Sequence, residues 1–100
     1  MIIVQDTFVC KPGNASKLAK LFKEWAELRP KERQTTVMTD MTGQFHRLIV
    51  RASYEGLAAY EEDIKTMMEK MSPEEKAMME KFNDMNDMYV SGSREIYKVW

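Results

Sequence analysis

The stretch QFHRLIVRASY, residues 44–54, alternates in the manner of a β-strand. His46, Leu48, Val50 and Ala52 fall on one side, and Phe45, Arg47, Ile49 and Arg51 on the other. A half-buried strand normally turns its second side to water. Here that side mixes apolar and cationic residues, which raises the question of whether the arginines are solvated or enclosed. The preceding run QTTVMTDM, residues 34–41, also has strand propensity, and Thr42-Gly43 stands between the two. This pattern predicts an antiparallel hairpin.

Working outward, IIVQDTFVC over residues 2–10 is rich in β-branched residues and stops at Pro12-Gly13, a strand followed by a turn. From Asn14 the period changes, with Leu18, Leu21, Phe22 and Trp25 forming a helical stripe that Pro30 ends. A second helix is predicted from about Glu55, with Leu57, Tyr60, Ile64, Met67, Met68 and Met71 inward. Ser72-Pro73-Glu74-Glu75 has the form of a capping box with proline at the first helical position. The third helix takes its stripe from Met78, Phe82, Met85 and Tyr89, and REIYKVW, residues 94–100, closes as a strand. Its Arg94, Ile96, Lys98 and Trp100 share one side, read with Phe45, Arg47, Ile49 and Arg51 as the mixed face that the helices leave uncovered. The predicted order is β-α-β-β-α(α)-β, one ferredoxin-like α+β domain over residues 1–100. Right-handed crossovers place its antiparallel strands in the order 4-1-3-2, with helices on one sheet face.

Composition excludes several classes of function. The chain has 100 residues, 44% of them hydrophobic and 31% charged, the balance of a folded domain. A net charge of −1 offers no long-range attraction to nucleic acid or to an anionic membrane surface. Cys10 is the lone cysteine, so neither an internal disulfide nor a CxxC motif exists. Gln5 and Asp6 interrupt the apolar start before a signal-peptide core could form, and a reduced cytoplasm is the expectation. One histidine and scattered carboxylates have no metal-ligand spacing, so neither a metal nor a tightly held cofactor is expected.

FVCKPGNASKLAKLF, residues 8–22, carries a resemblance. A strand ending in Phe-x-x-Lys-Pro-Gly, with leucine five residues after the glycine, is similar to the dimeric α/β-barrel superfamily. Within it, the chain most resembles the antibiotic-biosynthesis-monooxygenase and NIPSNAP-like group. The resemblance implies that two subunits pack their uncovered sheet faces into one barrel, a homodimer. It also implies a pocket built from the sheet and the second helix. Where many of these monooxygenases carry Trp, Leu and His, this chain has Arg51, Leu57 and Tyr60. Where heme-degrading relatives carry an asparagine, Asp6 stands.

These residues define the candidate site. Arg47 and Arg51 either pair with Asp6, Asp40 or Glu95 or grip a substrate anion through their planar forks. Tyr60 is the polar contact, beside Leu57, and Asp6 or His46 is the proton carrier. His46 also reads as an ordinary packing residue at the start of a strand. The methionines of the last two helices read as adaptable core, with room for a greasy pocket against the sheet. The leading expectation is a small-molecule-handling protein, with a cofactor-independent monooxygenase-like, cyclase-like or isomerase-like activity on a small anionic or aromatic substrate. A non-catalytic ligand-binding or dimeric assembly module is the alternative, and heme degradation ranks third.

Overall fold

The computed structural model describes residues 1–42 and 45–100. Strand β1 (Ile2–Cys10) leads through a tight turn to helix α1 (Ala15–Glu27), then to strands β2 (Thr36–Thr39) and β3 (Arg47–Tyr54). Helices α2 (Leu57–Glu69) and α3 (Pro73–Asp84) follow, and strand β4 (Tyr89–Lys98) closes the chain. Gly13 makes the β1–α1 turn possible with φ at 82°, in the left-handed region where a side chain is disfavoured. The predicted hairpin between β2 and β3 exists, although Gly43 of the predicted turn and Gln44 of the predicted strand lie outside the described residues.

The four strands form one antiparallel sheet in the order β2-β3-β1-β4, the predicted ferredoxin-like arrangement. Central β1 pairs with β3 from Ile2↔Tyr54 to Val9↔Arg47, and with β4 from Ile2↔Lys98 to Val9↔Ser91. Because side chains alternate, this register places Val4, Cys10, Leu48, Val50 and Tyr54 together on the helix side, and all five are buried. Leu48 is 0% exposed and touches Leu18 at 2% and Cys10 at 3%. Phe8 and Phe22 stack beside this centre with ring centroids 5.3 Å apart, and Phe82 of α3 approaches Phe22 at 4.7 Å. The serine cap is as the sequence predicts: the Glu75 backbone N–H donates to Ser72 Oγ at 3.1 Å.

Several elements depart from their sequence readings. His46 precedes β3 rather than opening its apolar face; it is exposed, with φ at 65°, and its carbonyl accepts from the Cys10 N–H at 2.7 Å. Phe45 likewise lies before the strand and is exposed. Strand β4 begins at Tyr89, five residues before Arg94, because pairing with β1 draws in a Val-Ser-Gly-Ser run of weak local propensity. Tyr89 therefore leaves the α3 stripe. A register shift at Val9/Cys10 sets Tyr89 against Cys10, and its ring packs on Phe8 at 5.1 Å while Val90 is exposed.

Leu57 and Met68, predicted inward, are 57% and 77% exposed. Tyr60, Ile64 and Met67 of α2 face inward as predicted, and Asp63 joins them because Arg29, just beyond α1, and Tyr54 of β3 reach its carboxylate. Arg94, Ile96 and Lys98 pair with Asp6, Val4 and Ile2, which puts them on the helix side of the sheet. They do not share the opposite face with Arg47 and Arg51, as the sequence pattern suggested. No helix among the described residues is long and apolar enough to cross a membrane.

Candidate functional site

A cavity of about 330 Å³ opens between the sheet and helices α2 and α3. Phe8 of β1 and Leu18, Phe22 and Trp25 of α1 form one apolar wall. Met67 and Met71 at the α2 end and Phe82 of α3 form the other, with the exposed Met68 and Met79 at its edge. These walls follow from two helical stripes meeting one strand face, and thioether side chains adapt readily to irregular contents. Asp6, Glu75, Asn86 and Arg94 interrupt the lining, and Tyr89 adds a phenol. A shallower depression continues past Asp6 and Arg94 over Gly92 and Ser93. Gly92 has a steric purpose there, since a Cβ would stand 3.1 Å from the Phe8 ring that borders both spaces.

The polar centre is a fork. Arg94 Nε donates to Asp6 Oδ1 at 2.6 Å and Nη2 to Asp6 Oδ2 at 3.0 Å, while Nη1 donates to the Tyr60 hydroxyl at 2.8 Å. Neighbouring strands make the first contact possible, because Asp6 and Arg94 are directly opposed in the β1–β4 register. Helix α2 supplies the second. Hydrogen bonding to Asp6 and the carboxylate's charge push the Arg94 pKa up, so its cationic form is secured. A guanidinium has five N–H donors; these bonds use three, and the half-exposed side chain leaves the other two open to solvent or a ligand.

The structure brings together Asp6 and Tyr60 of the sequence-predicted set, around Arg94, which that set omitted. Parity of β4 would have flagged Arg94 only if the β1–β4 register were known. Tyr60 holds Arg94 through its hydroxyl and does not itself line the cavity. Asp6 pairs with neither predicted arginine, since it faces the helices and they face away. Arg47 instead pairs with Asp40 across the hairpin, its Nε 3.5 Å from Oδ2 and its backbone N–H donating to Oδ1 at 3.1 Å. Arg51 reaches along the uncovered face to Gln5, donating from Nη2 at 2.7 Å and from Nε at 3.2 Å. His46 and Leu57 lie apart from the cavity lining. The Cys10 thiol is buried, and burial together with the Asp40 charge pushes its pKa up, which makes it a poor nucleophile.

A second polar cluster braces α2. Arg29, just beyond α1, is hydrogen-bonded to Asp63, which also accepts from the Tyr54 hydroxyl at 2.6 Å. Burial opposes the Asp63 charge, but the bonds from Tyr54 and Arg29 outweigh it and hold the carboxyl below its ordinary range. Burial and the Asp63 carboxylate push the Tyr54 phenol up to about 12. The Tyr54 ring lies between the Arg33 guanidinium, 4.4 Å from its centroid, and the Tyr60 ring at 5.3 Å. The brace thereby reaches the ring whose hydroxyl holds Arg94. Among the described residues no three His, Cys, Asp or Glu side chains converge in a metal-binding group.

Element order and sheet topology define a ferredoxin-like α+β chain, and solved structures share it. A NIPSNAP domain protein from Burkholderia xenovorans superposes with a TM-score of 0.79 at 9% identity, over 100% of this chain and 95% of its own. A NIPSNAP family protein from Agrobacterium tumefaciens superposes at 0.75 and 14% identity, over 97% and 90%. A candidate antibiotic biosynthesis monooxygenase from Deinococcus radiodurans gives 0.68 at 16% identity, over 100% and 93%. The chain thus shares its fold with NIPSNAP and antibiotic biosynthesis monooxygenase-like structures, the group its sequence resembles. No family model and no curated protein matches it.

Proposed function

We propose that this chain binds a small, mostly apolar molecule in the cavity between the sheet and helices α2 and α3, and acts on it there. The observation that carries this reading is an apolar cavity bordered by a single braced guanidinium with donors to spare. Ligand sites commonly combine apolar walls with a few fixed polar groups. Arg94 is the ligand's polar contact, with Asp6 and Tyr60 fixing its orientation; preorganised donors of this kind stabilise charge that develops on a bound oxygen. The aromatic walls suit a flat ring. Cofactor-independent monooxygenase-like chemistry, named for the Deinococcus radiodurans neighbour, is the catalytic form of the proposal.

Thermal-shift screening against phenols, quinones, small carboxylates and heme tests it. A ligand at a hundred times its Kd is expected to stabilise the chain by about 2.7 kcal/mol. Arg94→Met is expected to abolish the shift while the protein remains folded. A screen in which every compound leaves the melt unchanged refutes the reading. Oxygen uptake in the presence of a stabilising phenol then separates turnover from binding.

A homodimer built through the uncovered sheet face belongs to the same proposal. Ile3, Val9, Met38 and Ile49 on that face, with Tyr97 of the neighbouring strand, supply apolar area among polar residues. Light scattering at micromolar concentration is expected to return twice the chain mass. The non-catalytic module remains the second reading, favoured by one observation: Arg47 and Arg51 are both partnered within the chain. Heme degradation draws no support from His46, which is exposed ahead of β3 and apart from the cavity lining.

A further inference from the structure

We propose that the cavity selects molecules whose polar atom is an uncharged oxygen acceptor, such as a ketone, ester or amide carbonyl, and discriminates against carboxylates. This rests on the ligand-binding reading above and specifies its substrate class. Among the described residues that line the cavity Arg94 is the one cation, and an anionic ligand would need its charge. That charge is already answered, because both oxygens of Asp6 bond the guanidinium. A second carboxylate, Glu75, stands on the same lining with no cation beside it there. An incoming anion would therefore meet two negative groups and one positive group, while leaving water for apolar walls. Desolvating a charge without a net partner is unfavourable.

A carbonyl oxygen meets different conditions. It needs donors rather than charge, and Arg94 keeps two N–H groups after bonding Asp6 and Tyr60. Accepting from them leaves the Asp6–Arg94 pair intact. The neutral amide of Asn86 adds a further hydrogen-bonding group without changing the charge balance. By the same count an ammonium ligand meets one net negative charge, but it has no lone pair to accept from Arg94, whose half-exposed donors stay with water. It must also give up the hydration of a full charge for apolar walls. Asp6 is thus the residue that sets selectivity: it converts a potential anion site into a site for neutral acceptors.

The test uses the purified full chain and three probes sharing one ring system: 2-acetonaphthone, 2-naphthoate and protonated 2-naphthylmethylamine, compared by equilibrium dialysis at neutral pH. The ketone is expected to bind at least about fivefold tighter than either ion. Asp6→Asn is expected to move the naphthoate-to-ketone ratio towards naphthoate by a similar factor, since it frees the Arg94 charge. Glu75→Gln is expected to move it the same way, and it stands in for Asp6→Asn should that variant not fold. Equal affinities, or naphthoate or the amine binding most tightly, overturn the selectivity while leaving the cavity as a ligand site. Failure of all three probes to bind overturns the ligand-binding reading and this inference with it. A ratio unmoved in a folded Asp6→Asn and in Glu75→Gln removes the proposed cause.

Discussion

Replacing Tyr54 by phenylalanine isolates one hydrogen bond in the cluster that braces α2. The ring is buried, and both its neighbours, the Arg33 guanidinium and the Tyr60 ring, contact the aromatic face or edge, which phenylalanine retains. The loss is the hydroxyl that donates to Asp63 Oδ2 at 2.6 Å. A hydrogen bond to a charged acceptor contributes about 1.5–3 kcal/mol. Asp63 keeps Arg29, so the variant avoids the larger cost of a stranded buried charge. The expected destabilisation of about 1.5–3 kcal/mol corresponds to a Tm lowered by roughly 10 °C in a chain of this size. Urea unfolding at neutral pH measures it directly.

The pH dependence supplies the independent check. The native state favours the protonated phenol, whose pKa rises from 10.0 to about 12. The stability it contributes is therefore complete below about pH 10 and is lost as pH climbs towards 12. Wild type is expected to weaken over that window more than Tyr54→Phe, so the gap between them narrows. A destabilisation under about 0.5 kcal/mol at neutral pH would show that the hydroxyl gains nothing from the cluster. A constant gap across the alkaline window would refute the assigned cause.

Asp63 gives the opposite limb. Its depressed pKa contributes stability that is present above the ordinary carboxyl value of 3.8 and lost as pH falls through the lower native value. Asp63→Asn is expected to be about 3–5 kcal/mol less stable at neutral pH, with that acid limb missing, as read by urea unfolding across a pH series. Leu48→Ala, emptying a fully buried position against Leu18 and Cys10, is expected to cost about 2–5 kcal/mol in the same measurement. Ser72→Ala removes the acceptor for the Glu75 N–H and is expected to cost about 0.5–2 kcal/mol, with Ser72→Asp restoring most of it.

The part of the candidate site legible in the sequence was its material rather than its assembly. Methionine and aromatic residues at helical spacing announced an adaptable apolar space between helices and sheet, and a cavity is present there. Asp6 and Tyr60 were singled out individually, yet their common partner was assigned to the wrong sheet face. The error has a specific cause. Alternation along REIYKVW groups Arg94 with Ile96 and Lys98 but cannot say which face the group occupies. That depends on how β4 slides against β1, and the Asp6↔Arg94 register settles it. Arg47 meets Asp40, one of the partners named from the sequence, whereas Arg51 takes Gln5, which only the β1–β3 register brings opposite it.

Local chemistry by itself determined the order of elements, the hairpin between β2 and β3, the serine cap of α3 and the antiparallel 4-1-3-2 sheet. These follow from periodicity, turn residues and chain handedness, all of which act over short spans of sequence. Tertiary structure alone decided that Asp63 rather than Leu57 faces inward, that Tyr89 packs on Phe8 from β4 rather than from the α3 stripe, and that Arg94 meets Asp6 and Tyr60. Each outcome joins residues far apart in the chain, where strand register and competition for buried hydrogen bonds outweigh any local preference.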